Sequence, residues 1–177
     1  MYKECDKLSP LLQLEYPVFT AECENELYNI FCMEYKNAKI TYEGLPVFTR
    51  KDPLYNGKEE TFWHFISDTH QKGHIGEYVI DEIRARRLLW GKDLLLNSPC
   101  HTIPHKPDCK GIYIWDYPYK KTYRRKFLHV KYSQLLIIEK RKNYWLFITN
   151  HKLDRLHKNF EINDYKSKKQ KTPYCLR

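Results

Sequence analysis

The sequence predicts an α+β fold: N-terminal helices packed on a C-terminal antiparallel sheet of about four strands, closed by a C-terminal helix. Three observations carry this expectation. Apolar residues recur at helical spacing in the first half of the chain. From residue 111 the pattern changes to strand-like runs rich in Tyr, Ile, Phe and Trp. The links between those runs are short, which favours an antiparallel meander over parallel crossovers.

Each element can be justified in order. Residues 9–17, SPLLQLEYP, open on a Ser-Pro start signal and carry a short apolar face of Leu11, Leu12 and Leu14. Residues 21–37 read as an amphipathic helix with Leu27, Ile30 and Phe31 at helical spacing and acidic residues in the first turn. Residues 38–60 contain Gly44-Leu45-Pro46, Asp52-Pro53 and Asn56-Gly57, and read as a strand followed by an irregular loop. One or two helical turns follow over 61–67. A further helix is expected over 77–90, with Val79, Ile80, Ile83 and Trp90 facing inward. The run 98–111 reads as loop. Strands are expected at 111–117, 122–131, 134–140 and 143–150, and a closing helix at 151–165 with Leu153, Leu156, Phe160 and Ile162 as its apolar side. One domain over 1–165 accounts for these elements, with 1–40 its helical N-terminal part and 111–150 its sheet. Residues 166–177 form a basic tail.

Composition narrows the function classes. The 177 residues are enough for one sizeable core, and 42% hydrophobic and 15% aromatic content fit a folded chain. No apolar run approaches the length of a membrane span, and the start, MYKECDKLSP, has no apolar h-region. A cytoplasmic protein with no membrane partner is the expectation. Six cysteines without an export signal are expected to be free thiols. Net charge is +9, unevenly spread. Residues 118–177 hold 17 Lys+Arg against 4 Asp+Glu, for +13, whereas residues 1–117 hold 14 against 18, for −4. A basic half interleaved with aromatics points to contact with a polyanion, against the plainer reading of a solvated surface and tail.

Candidate sites follow from residue chemistry. Cys100, His101, His105 and Cys109 are zinc-type ligands, but they lack the two separated pairs of the strong zinc patterns. His70 and His74 are four apart, but Gly73 lies between them and H-E-x-x-H is absent. No metal and no cofactor are therefore expected. There is no Walker A, G-x-G-x-x-G or G-x-S-x-G sequence. Metal-free ribonuclease chemistry needs a base for the ribose 2′-OH and cations on the phosphate. Imidazole suits the first task and guanidinium the second. His64 sits among Phe62, Trp63 and Phe65; Arg84 and Arg87 share a helix face; Arg124 and Arg125 lie on a predicted strand; Thr149 closes the last strand. Each also has a structural reading: a packed histidine, a solvated helix face, a strand-end hydroxyl.

Four stretches, GKEETFWHFIS (57–67), RARRLLW (84–90), YIWDYPYKKTYRRKFLHV (113–130) and LLIIEKRKNYWLFITNHKLDRLHKNFEINDY (135–165), occur in that order. Together they resemble a family of small bacterial and phage-associated proteins similar to the BECR group of ribonucleases (barnase, EndoU, colicin and RelE-like toxins). The resemblance covers about residues 10–165. It implies a nuclease-like α+β domain and a toxin-like, metal-independent endoribonuclease that leaves a 2′,3′-cyclic phosphate. By motif, His64 matches the family's histidine after the aromatic pair, Arg84 and Arg87 the arginine pair before a tryptophan, Thr149 a terminal threonine, and His157 a histidine in the closing helix. The chain departs from the family pattern with Thr-Asn-His in place of Thr-Ala-Tyr, and with Arg86 in place of an acidic residue. The implied catalytic set is His64, Arg84, Arg87, Thr149 and His157. Arg124, Arg125, Lys126, Lys131 and Arg141 are the expected RNA contacts. The implied partners are RNA and an acidic antitoxin protein. The alternatives are a non-catalytic nucleic-acid-binding module, and an interaction protein that inhibits a host or phage factor.

Overall fold

A computed structural model describes residues 8–67, 78–98 and 111–168. His70, His74, Cys100, His101, His105, Cys109 and the tail beyond 168 lie outside the described residues.

Helix α1 (Ala21–Phe31) starts where Thr20 accepts a hydrogen bond from the Cys23 amide at 3.2 Å, with Glu22 and Glu24 favourably placed at its positive end. Cys23, Leu27 and Phe31, four residues apart, form its buried stripe. The helix continues through one π-turn, Cys32–Lys36, that carries Tyr35 into the core. There the Tyr35 hydroxyl donates to the Leu88 carbonyl at 2.5 Å and accepts from the Lys92 amide at 3.0 Å.

Residues 38–60 are more ordered than the sequence patterns suggest. They form two hairpins, β1 (Thr41–Tyr42) with β2 (Leu45–Phe48), and β3 (Leu54–Tyr55) with β4 (Lys58–Glu59). Both two-residue loops, Glu43-Gly44 and Asn56-Gly57, have positive φ at both positions, the type I′ geometry that matches strand twist. Helix α2 (Glu60–Ile66) follows directly and buries Phe62, Trp63, Phe65 and Ile66.

The single helix expected over 77–90 is instead two short ones, α3 (Glu82–Arg86) and α4 (Trp90–Leu96). Tertiary donors take up the carbonyls between them. Leu88 O accepts from Tyr35 Oη, and Asn150 Nδ2 reaches both Arg87 O (3.3 Å) and Leu88 O (3.4 Å). A local helical ladder is not needed to satisfy them. Gly91 packs so closely on Asn150 that an added Cβ would lie 2.9 Å from its Cγ. Val79 and Ile83, expected inward, are exposed.

The meander is β5 (Ile112–Tyr119), β6 (Thr122–His129), β7 (Gln134–Lys140) and β8 (Trp145–Lys152). The sheet has six strands, not four, in the order β1-β2-β8-β7-β6-β5, because the first hairpin adds to the free edge of β8. The β2–β8 pairing is parallel, so the sheet is mixed, not purely antiparallel. Strand β7 is buried on both faces, which explains its unbroken apolar run Leu135–Ile138. Phe127, Leu136 and Ile138 meet α1, α2 and α4 on one face; Leu128, Leu135 and Ile137 meet α5 (Arg155–Ser167) on the other.

Helix α5 begins four residues later than expected, because β8 extends to Lys152 and Asp154 caps the helix through the His157 amide at 2.8 Å. Its inward face is set by Glu161 and Tyr165, while Leu156 and Phe160 are exposed. Glu161 accepts from buried Lys126 at 2.6 and 2.9 Å, and Tyr165 stacks on Tyr113 at 4.2 Å. Of the apolar side expected for this helix, Leu153 and Ile162 do pack inward, and a buried ion pair and an aromatic stack complete the docking in place of Leu156 and Phe160.

His129, at the end of β6, is buried, and its Nδ1 has no hydrogen-bond partner among the described residues. Burial, with nearby Lys131 adding to it, pushes its pKa down to about 4. An unfolded histidine binds its proton near pH 6.5, so the unfolded chain carries more protons between the two values. Stability is therefore full above pH 6.5 and falls as pH drops toward 4, by roughly 3 kcal/mol. Urea unfolding at pH 7.5 and 4.5 should show this loss in the parent and a smaller one in His129→Gln. Equal losses would contradict the assignment.

Candidate nucleic-acid interface

The basic residues of the sheet divide by what holds them. Arg125 grips Asp116 in a fork at 2.7 and 2.9 Å, pairs with Glu43, and lies over the Trp145 ring. Lys126 is committed to Glu161. Glu139 accepts from Arg124 Nε at 2.8 Å and lies 2.6 Å from Arg141 Nη2. Lys131 lies beside the Tyr132 ring. Arg124, Arg125, Lys126 and Arg141, all expected RNA contacts, thus sit in ion pairs among the described residues. A charge already balanced at short range releases little on meeting a phosphate.

Among the described residues, the lysines that no carboxylate balances lie at the turns. The β5–β6 turn carries Lys120 and Lys121, and the β7–β8 turn carries Lys142 beside the paired Arg141. A meander brings alternate turns to the same end of its sheet. The two tips, with Arg50 from the segment after β2, enclose a cleft of about 830 Å³. Its walls hold seven basic side chains (Arg50, Lys120, Lys121, Arg124, Lys140, Arg141 and Lys142) and one carboxylate, Glu139. Tyr119 and Tyr123 supply aromatic surface, and the Arg124 guanidinium lies 3.4 Å from the Tyr119 ring centre. Burial alone would lower the Arg124 pKa, but hydrogen bonds to Glu139 and Tyr117 outweigh it and raise the value.

His64 opens onto a smaller pocket of about 150 Å³ that shares Arg50 and Arg124 with the cleft. Its side chain is about a third exposed, with Nε2 3.4 Å from Glu60 Oε1. Glu60 Oε2 in turn lies 2.9 Å from Arg50 Nε. The aromatic neighbours on α2 point into the core, so the helix is fixed by them while His64 faces out. No family model, curated protein or solved structure matches the chain. Any reading of the site therefore rests on its own geometry.

The other expected site residues fall in different places. Arg84 and His157 line a second cleft of about 410 Å³, with His151 and Lys152. Three carboxylates, Asp81, Asp154 and Glu161, also line it, so it is less suited to a polyanion than the first cleft. Arg84 Nη1 donates to Ser67 O, and His157 Nδ1 lies 2.6 Å from Asp154. Arg87 lines neither cleft. It donates to Tyr132 O and Gln134 Oε1, covers the Trp90 ring at 4.4 Å, and has its pKa lowered by burial. Gln134 passes the network on to Asn150 at 2.8 Å. Arg87 thus ties α3 to the turn before β7.

Thr149 sits between the two regions. Its hydroxyl donates to the His64 carbonyl at 3.2 Å and lies 3.2 Å from His151 Nδ1. A bulge sets its direction: Ile137 pairs with Thr149 but Ile138 pairs with Phe147, so Ile148 is an extra residue in β8. Phe147 faces the core beneath α2, yet Thr149 and His151 face the α5 side.

Not singled out from the sequence were Arg50, Glu60, Lys120, Lys121, Lys140, Lys142 and His151. The available signal was the pair of basic runs YKKT and EKRKN, both at turns of the expected meander. Among the described residues there is no group of three or more His, Cys, Asp or Glu side chains placed to hold a metal ion, and no helix long and apolar enough to cross a membrane.

Proposed function

We propose that the protein is a metal-independent endoribonuclease, with His64 as its proton-transfer group and Arg124 and Arg50 as cations for the scissile phosphate. The supporting observation is that His64 and Arg124 line one pocket that opens into the basic cleft. His64 would take the proton from a ribose 2′-OH. The 2′-oxygen then bonds to phosphorus as the bond to the 5′-oxygen breaks, and that oxygen takes up a proton from water. The products are a 2′,3′-cyclic phosphate and a 5′-hydroxyl. Guanidinium groups favour the charge that builds on the phosphoryl oxygens. Glu60 would orient the imidazole. Arg87 has a structural role in this reading, and Arg84 and His157 belong to the other cleft.

One observation favours a second reading, that of a non-catalytic RNA binder. Arg124 and Arg50 already pair with Glu139 and Glu60, which reduces the charge they can lend to a transition state. The test is incubation of purified protein with end-labelled total RNA in excess EDTA. Discrete cuts ending in 2′,3′-cyclic phosphate are expected. If a broad set of RNAs stays intact, the catalytic reading falls and the binding one stands.

A further inference from the structure

We infer that the cleft between the two hairpin tips is a track for single-stranded RNA, with Lys120, Lys121, Lys140 and Lys142 contacting successive phosphates. The inference deepens the ribonuclease reading and rests on it for the choice of RNA. These four lysines are set apart from the three arginines that share the cleft walls. Among the described residues none of the four lysines forms an ion pair, whereas Arg124, Arg125, Lys126 and Arg141 all do. Lys120, Lys121 and Lys142 are exposed at the tips, and Lys140 is half-buried beside the Trp145 ring at 4.9 Å. Their ammonium groups are hydrated point charges on flexible stems, suited to backbone phosphates and not to reading base edges.

The shape argues for a single strand. The basic groups line a concavity, where a flexible strand can enter and a rigid duplex meets only the rim. Grooves of this kind bind single strands by combining positive charge with aromatic platforms. Tyr119 and Tyr123 lie within the cleft. Phe48, 52% exposed at the end of β2 and two residues before Arg50, pairs at 5.6 Å with Tyr144, which lies just before β8 and two residues after Lys142. A strand in the cleft would pass Arg50 and Arg124, the two residues shared with the His64 pocket.

The test is fluorescence anisotropy on the full chain with a labelled 2′-O-methyl RNA 12-mer, alone and annealed to its complement. The blocked 2′-oxygen prevents cleavage, so binding is read apart from catalysis. The single strand should bind at least about tenfold more tightly than the duplex, and binding should weaken with salt. A variant with all four lysines changed to Gln should lose most of this affinity, with a salt slope shallower by about 3, at roughly 0.7 per phosphate contact. Lys121→Glu, one exposed turn residue, gives a milder form of the same loss should the fourfold variant unfold. Equal affinity for duplex and single strand would overturn the inference, as would an unchanged slope in the variants. So would binding of an acidic protein through the four lysines with none of RNA. Cleavage of RNA with unchanged variants would sink the track and leave the ribonuclease reading. Lysine-dependent binding with no cleavage would do the reverse.

Discussion

Truncating Phe31 to Ala is expected to lower the stability of the folded chain by about 3–5 kcal/mol. Phe31 is fully buried where α1, α2 and the π-turn meet. Its ring contacts Tyr28, Tyr35, Phe62 and Phe65 at centroid distances of 6.2, 5.6, 5.5 and 6.2 Å. Alanine removes the apolar area and leaves a cavity walled by rigid rings that cannot collapse into it. Edge-on ring pairs add about 0.5–1.5 kcal/mol each beyond burial. Against a typical total stability of about 5–15 kcal/mol, the loss is large. Urea unfolding should show a lower midpoint with an unchanged slope. Phe31→Leu, which keeps most of the volume, should cost much less. A loss below about 1 kcal/mol in the alanine variant would mean that the core is not packed around this ring.

The second large effect concerns chemistry. In the proposed ribonuclease, His64→Ala should slow RNA cleavage by about 10²–10⁴-fold, the usual contribution of a positioned acid or base. Stability should hardly move. The side chain is a third exposed, and the contact that locks this point of α2 to β8 uses the His64 carbonyl, which alanine retains. Cleavage within a factor of about three of the parent, by a protein with normal unfolding, would remove His64 from the reaction. Phe31 packs from α1 against the rings of α2, and His64 lies on the outer side of that same helix, yet one substitution should act on folding alone and the other on turnover alone.

Much of the fold was legible because local patterns and tertiary packing agree. Leu27 and Phe31 announce α1, and the both-faces burial of β7 is visible in Leu135–Ile138. The errors lie where packing overrules pattern. Leu156 and Phe160 look like a buried stripe, but Lys126–Glu161 and Tyr113–Tyr165 decide which side of α5 faces inward. The break between α3 and α4 depends on Tyr35 and Asn150, donors remote in sequence. The Asn56-Gly57 pair was a readable hairpin signal, whereas the parallel docking of β2 on β8 leaves no local trace. For the candidate site, residue types and turn positions were visible, but ion pairing was not. Arg125 and Lys142 look alike in a sequence, yet among the described residues carboxylates hold the first and none holds the second.

The bulge at Ile148 makes β8 a strand with two parities. Up to Phe147, odd-numbered positions belong to the core; beyond it the core position is the even-numbered Asn150, and the odd-numbered Thr149 and His151 belong to the opposite face. Loss of Ile148 alone would let the ladder run on without the bulge, with Phe147 and Asn150 still on the core face and Thr149 and His151 still on the other. What the extra residue adds is a local bend and a stronger twist, and these set the angle at which the Thr149 hydroxyl meets the His64 carbonyl. The arrangement around His64 therefore depends on the curvature of β8 as much as on the identities of its side chains.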